Sequence, residues 1–429
     1  MRALVISIDG LAGFYWTDPL ARMPNLRRLA ERGVVSPAMQ AVFPTTTWPT
    51  HVSLATGVSP VRHGVAANHV LNRATGEAED FTGDPVYDAA DLVRVPTIYD
   101  RAHAAGRRCA AIDWPATRNA PSLAFNLPFF KNQRVFETQT SPAVWRELGD
   151  LGFPVDRQGE WAELPKRFLK DGMVAELAAS VWHRHRPDLM LVHYLCADSH
   201  QHLYGPKSPE AYWAIAYIDE RIGRLLDALP ESALDTDTLV FVVSDHGFLP
   251  STREIRVNVW LRQQGLLDVA AGGRITRGAA RLVMNHGAGY VYLDGADRDR
   301  LARDLASAVS KIEGVAGAWT ETDYAALGIP TAAVNPFVGE IALEAAPGYC
   351  FGDAATGGDL HGAPKYRGTH GQRPEHADNL AFFLARGPGI RRGATLPRLT
   401  SRDVAPTLAR LLGIPMPDVE GRTLVEIFA

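Results

Sequence analysis

ALVISIDG, residues 3–10, is a nearly unbroken apolar run closed by a carboxylate and a glycine. A run of that length suits a strand buried on both faces, the situation inside a parallel sheet covered by helices. Residues 108–112, 189–194 and 239–243 read the same way. Helical patterns at 24–32, 97–105 and 212–229 fall between them. This alternation predicts an α/β fold with a doubly wound, mostly parallel sheet between helix layers. From 260 to 360 the texture changes. Residues 289–293 and 316–320 read as strands, 297–310 as a helix, and 347–362 as loop. We therefore expect a core built from 1–259 and 361–429, carrying a small α+β insert at 260–360. The core resumes with a strand at 380–384 and a helix at 401–412 before Pro415, Pro417 and Gly421 break the pattern.

A chain of 429 residues can bury a large core. Its net charge of −4, with acids and bases interspersed, offers no basic tail or stripe of the kind nucleic-acid binding uses. Cys109, Cys196 and Cys350 are odd in number and far apart, so neither a disulfide framework nor a cysteine zinc knuckle is indicated. The first apolar stretch is too short for a signal-peptide core, and no run approaches the ~20 apolar residues of a membrane span. A cytoplasmic location is the expectation.

The chemistry is announced at the ends of the apolar runs. Asp9 closes the first, Asp198 lies just past LMLVHYLCA, and Asp245–His246 close LVFVVSDHG. His370 stands between glycines in GTHG. Ligands of open parallel sheets bind outside the carboxyl ends of the strands. Three carboxylates and three imidazoles gathered there can divide into two divalent sites. Asp198 and His202 are four apart and share a face if helical, and Gly247 permits a bend after His246. Mixed nitrogen and oxygen ligands favour zinc, with manganese or iron as alternatives. Each motif alone is also what a cap or turn would show; their joint occurrence carries the reading. Thr47, before Trp48 and Pro49, stands where a helix starts, and its hydroxyl feels the positive end of the helix dipole. Metal coordination would supply most of the activation of such a nucleophile.

SIDG (7–10), MPNLRRLAERG (23–33), FPTTTWPTH (43–51), LATGVSPVRHGV (54–65), DSHQHLYGP (198–206), VVSDHGF (242–248) and GTHG (368–371) occur in one order. The chain thereby resembles the nucleotide pyrophosphatase/phosphodiesterase family of the alkaline phosphatase superfamily, over roughly residues 3–250 and 365–429. The resemblance implies that Asp9, Thr47, Asp245 and His246 hold one zinc, Thr47 being the nucleophile. It implies that Asp198, His202 and His370 hold the other, and that Asn68 helps bind a non-bridging phosphate oxygen. The implied reaction is hydrolysis of a small phosphodiester or nucleotide-like substrate through a covalent phospho-threonine.

Departures from the family pattern concern the substrate. HYLCADSHQH (193–202) replaces an acidic, proline-containing run of the nucleotide-cleaving members, which places His193 and Tyr194 near the base-stacking position. Trp48 follows the nucleophile, where an aromatic often walls the leaving-group pocket; its flat face could equally pack in the core. His200 competes with His202 as a ligand but does not share a helical face with Asp198. His51, His63, His286, His361 and His376 have no partner spacing, although His361 and His376 flank the loop of His370. The alternatives are carbon–phosphorus cleavage as in phosphonoacetate hydrolase, monoester hydrolysis, or a catalytically inactive metal-binding protein. IDWPATRNA (112–120) looks more like the diesterases than like a phosphonoacetate site, and no sulfatase nucleophile motif is present.

Overall fold

The computed structural model describes residues 1–81 and 87–429. Its main sheet contains β1 (Arg2–Ile8), β2 (Val34–Gln40), β3 (Cys109–Trp114), β4 (Leu123–Pro128), β5 (Leu189–Tyr194), β6 (Thr238–Val243) and β7 (Ala381–Arg386). The order across the sheet is β2-β7-β6-β1-β5-β3-β4, with Ala394–Thr395 and Leu399–Thr400 edging β2. Alternate residues of β1 point to opposite faces. Leu4, Ile6 and Ile8 pack under α3 (Arg167–His185) and α5 (Pro209–Asp227), while Ala3 and Val5 pack under α6 (Val404–Leu412). Both faces are therefore apolar, which is why the run that ends at Asp9 shows no alternation.

β1 runs parallel to both neighbours, pairing Ser7 with His193 of β5 and Val243 of β6. This register brings the residues after all three strands to one edge. The sheet is mixed rather than uniformly parallel, because β7 pairs antiparallel with both β2 and β6. A buried apolar run carries no mark of its direction, so the sequence could not show this.

The helices begin where their caps say. α1 (Pro24–Glu31) opens on a proline, residues Ile98–Ala104 follow a Thr97–Asp100 capping box, and α5 follows Ser208, whose hydroxyl accepts from the Ala211 amide. Ala280–Asn285, Ala288–Leu293, Ile341–Ala345 and Val315–Thr320 form a separate antiparallel sheet backed by the helix Arg298–Val309. Tyr290, Tyr292 and Ala342 of that sheet join one buried cluster with Trp48 and Val52 of α2 (Thr47–Thr56). Part of the stretch expected as loop is paired instead. Gly348–Phe351 runs parallel to Leu249–Ile255, and His361–Gly362 pairs with the same strand. Four residues are too few for a periodic signal, and their partner is remote in sequence.

His63 braces α2. The Val65 amide donates to its Nδ1 at 3.1 Å, and its Nε2 lies 2.9 Å from Ser53 Oγ. Since Nδ1 accepts, the proton sits on Nε2 and the folded state uses the neutral ring. Burial holds its pKa down from 6.5 to about 3. An unfolded His63 binds its proton near 6.5, the folded one only near 3, so the unfolded state holds more protons in between. The contribution is complete above 6.5 and is lost as pH falls towards 3, by up to ~1.4 kcal/mol per pH unit. His63→Gln removes this dependence. Its stability deficit against wild type, measured by urea unfolding, is expected to shrink as pH is lowered from ~7 to ~4.5; a constant deficit would contradict the assignment.

Candidate active site

Asp9 follows β1, Asp245 and His246 follow β6, and Asp198 and His202 lie on α4 (Cys196–Tyr204), which starts just past β5. His370 arrives from the loop after Gly368–Thr369. The structure brings all six together. Asp9, Asp245 and His246 present ligand atoms within 4.8 Å of one another, and so do Asp198, His246 and His370. His202 Nε2 is 3.1 Å from Asp198 Oδ1, as the four-residue spacing requires, and His370 Nε2 is 3.8 Å from the same oxygen. His246 Nε2 lies 3.4 Å from Asp9 Oδ1 and 3.3 Å from Asp245 Oδ2.

The carbonyls around the site fix the tautomers. Nδ1 of His202, His246 and His370 faces the carbonyl oxygen of Gly368, Gly247 and Thr45 at 3.0, 3.0 and 2.9 Å. A ring nitrogen opposite a carbonyl must carry the proton, so each Nε2 offers a lone pair to the centre, the arrangement usual for metal-binding histidines. Burial, reinforced by the neighbouring imidazoles His246, His286 and His202, holds the His370 pKa well below 6.5, so its ring is neutral. One oxygen each of Asp9 and Asp245 lacks a hydrogen-bonding partner there. Asp9 Oδ1, Asp245 Oδ2 and His246 Nε2 are buried without a hydrogen bond, while Asp245 Oδ1 accepts from the amides of Gly10 and His246. Burial, then Asp198 and Asp245, push the Asp9 pKa well above the usual carboxylate range. For Asp198 burial acts the same way, but His202, Arg167 and His370 outweigh it and hold the group below that range. Such a cluster of buried acids and imidazoles, several of its oxygen and nitrogen atoms unpartnered, fits divalent cations. Gly247 serves differently from expected: a Cβ there would lie 2.2 Å from the Asp378 carbonyl, so close backbone approach, rather than a left-handed bend, requires glycine.

Thr47 is the first residue of α2 and lines a cavity of about 230 Å³ together with Asp9, Asn68, Asp198, His202 and His370. Asn68 Oδ1 accepts from the Trp48 amide at 2.8 Å, which leaves its amide group as the donor free to face a substrate. The Asn68 and His69 amides in turn donate to Asn285 Oδ1.

The residues expected to form the substrate pocket lie elsewhere. Trp48 is buried and packs on Phe129 at 5.3 Å, behind the cavity wall. His193 sits beneath the site, its Nε2 3.4 Å from Asp9 Oδ2 and its Nδ1 3.2 Å from His51 Nε2. Tyr194 is buried on the α3 and α5 side of the sheet. His200 turns away to the Cys196 carbonyl and Trp213. His361 and His376 bond to the Glu313 carbonyl and Glu344. The cavity is lined instead by Phe129, Lys131, Arg167, His286, Lys365 and Tyr366. Arg167 donates to Asp198 Oδ2 at 3.2 Å. No spacing in the sequence links these residues to the motifs.

Comparison with known proteins agrees with this architecture. The family model for type I phosphodiesterase/nucleotide pyrophosphatase matches residues 3–373. A Schizosaccharomyces pombe protein named as an uncharacterized pyrophosphatase/phosphodiesterase is 29% identical over 275 residues, 62% of this chain and 48% of that protein. Ectonucleotide pyrophosphatase/phosphodiesterase family member 3 of Mus musculus is 23% identical over 252 residues, 57% of this chain and 24% of its own length. The chain thus spans half or less of the length of these relatives. Among solved structures, murine ectonucleotide pyrophosphatase/phosphodiesterase 5, in an inactive form complexed with AMP, superposes with a TM-score of 0.75 at 19% identity, 100% of both chains being covered. The match across 3–373 joins the carboxylate-ended strands, the Thr47 helix and the His370 loop in one pattern, and the chain belongs to the type I phosphodiesterase/nucleotide pyrophosphatase family.

Proposed function

We propose that the protein hydrolyses a small phosphodiester or nucleotide-like substrate by transferring the phosphoryl group to Thr47 and then to water. The observation that carries this reading is the convergence of Asp9, Asp198, Asp245 and three imidazoles, each with Nδ1 held by a backbone carbonyl, around the cavity lined by Thr47. Asp9, Thr47, Asp245 and His246 would hold one ion and Asp198, His202 and His370 the second, zinc in preference to manganese or iron. Bound there, divalent ions would lower the pKa of a coordinated hydroxyl and neutralise charge on the phosphoryl oxygens.

The protein's own groups do the positioning. Thr47 Oγ1 attacks phosphorus, forming a P–O bond as the bond to the leaving oxygen breaks; water then cleaves the phospho-threonine and restores the hydroxyl. The Asn68 amide donates to a non-bridging oxygen, and the Thr47 amide, an orphan donor at the start of α2, can do the same. Arg167 keeps Asp198 ionised and oriented. A nucleotide-like substrate is supported by the AMP bound in the murine neighbour.

The test compares the zinc-loaded protein on bis-p-nitrophenyl phosphate, p-nitrophenyl-TMP, p-nitrophenyl phosphate and phosphonoacetate. The diesters are expected to give the higher kcat/KM; a clear win for the monoester or the phosphonate overturns the diesterase reading. Asn68→Ala is expected to lower kcat on the best diester by ~10²–10³-fold with KM much less affected, as loss of one preorganised donor does.

A further inference from the structure

His286 stands on the turn between Ala280–Asn285 and Ala288–Leu293, and that turn reaches the cavity beside His202 and His370. We propose that His286 is an additional protein ligand of the ion held by Asp198, His202 and His370, so that one carboxylate and three imidazoles surround it. This rests on the two-ion reading given above.

The ring positions carry the argument. Ring centres of His202 and His286 are 4.6 Å apart, those of His286 and His370 4.5 Å, and those of His202 and His370 5.1 Å. Imidazoles bound to one zinc at ~2.0–2.1 Å have ring centres ~3.2 Å from the ion and therefore ~4.5–5.2 Å from each other, for angles between square and tetrahedral. All three separations satisfy this. One ring nitrogen from each residue lies within 4.8 Å of the others. His202 and His370 spend Nδ1 on backbone carbonyls. Neither ring nitrogen of His286 hydrogen-bonds to a described residue, which leaves one free to ligate.

The backbone at this position points the same way. His286 has φ 61°, a left-handed conformation that glycine adopts without strain and most side chains adopt only at a cost. The turn is held by four hydrogen bonds to three other segments. Asn285 Oδ1 accepts from the Asn68 and His69 amides, the Gly287 amide donates to the His370 carbonyl at 2.6 Å, and the His286 carbonyl accepts from the Phe351 amide at 2.9 Å. Strain that the surroundings impose so firmly is characteristic of functional positions. The backbone of the turn is thus fixed by the segments that carry Asn68, His370 and Phe351, and the antiparallel sheet would be tied to the metal centre through residue 286.

Two variants test this. His286→Gly deletes the ring at a φ that glycine prefers, so the fold is expected to survive, as far-ultraviolet circular dichroism would check. Zinc content and zinc release to a chelator are then measured. Wild type is expected to hold two equivalents, and the variant to bind one of them more than ~100-fold more weakly, beyond the 10–100-fold typical of losing an outer contact. His286→Cys is loaded with cobalt(II). A thiolate-to-cobalt charge-transfer band, absent from the wild-type cobalt protein, appears only if residue 286 reaches the ion. Wild-type zinc affinity in His286→Gly, or no such band in His286→Cys, overturns the proposal. A wild-type protein that takes up a single equivalent sinks the two-ion reading instead, and the cobalt band still decides whether residue 286 ligates.

Discussion

Thr47→Ala is expected to lower kcat on a diester such as bis-p-nitrophenyl phosphate by at least ~10⁴-fold while the protein keeps its metal ions. The separation of the two effects follows from the site. On the proposed assignment Asp9, Asp245 and His246 would remain as three ligands on one side, with Asp198, His202 and His370 untouched on the other. Removing the hydroxyl would delete the group on which the proposed covalent route depends but no charged side chain of the cluster. Thr46 at the N-cap position and Pro49 in the first turn also stay, so α2 should start at the same place. Thr47→Ser restores a hydroxyl at the same position and should recover a substantial part of the rate. Quenched-flow trapping of phosphoprotein should succeed with wild type and fail with Thr47→Ala. A fully active Thr47→Ala enzyme would remove Thr47 from the reaction.

The largest stability effect is expected at a charge pair behind the site. Lys170 Nζ lies 2.6 Å from Asp113 Oδ1, and neither side chain has any exposed surface. Burial lowers the Lys170 pKa and raises that of Asp113, and in each case the attraction of the partner opposes the shift. Lys170→Met leaves a carboxylate alone in the core, which typically costs ~3–5 kcal/mol. Asp113→Asn combined with Lys170→Met removes both charges, and asparagine tolerates the left-handed φ of 58° at this position. The double variant is therefore expected to recover most of the loss, measured as the midpoint and slope of urea unfolding. A single variant within ~1 kcal/mol of wild type would show that the pair contributes nothing of the expected kind. Activity should fall along with stability. Arg167, one turn before Lys170, holds Asp198, and Asp171, the next residue, accepts from the Leu195 and Cys196 amides at the start of α4.

Much of the candidate site's convergence was legible because its signals are local. Asp9 and Asp245–His246 end apolar runs, Asp198 and His202 share a helical face, and Thr47 precedes a proline in a first turn. Trp48 was ambiguous for a physical reason: an aromatic beside the candidate nucleophile has the same sequence whether it lines a pocket or packs into the core, and here it packs on Phe129. His193 was placed near a base pocket, yet it faces Asp9 and His51 from below, because Ser7 pairs with it across the sheet. Arg167 and His286 gave no signal at all. One lies 31 residues before its partner Asp198, the other on a turn of the antiparallel sheet, and neither distance is a helical or strand period.

The sequence by itself determined the alternation of buried strands and helices, and with it the sheet edge on which carboxylates and imidazoles would collect, since periodicity and strand-end chemistry are properties of short segments. Only the tertiary structure decided the antiparallel course of β7, the carbonyl that orients each imidazole, and the arrival of His286 and Arg167 at the cavity. Those depend on contacts such as His202 with Gly368, 166 residues apart, and long-range packing leaves no trace in local spacing.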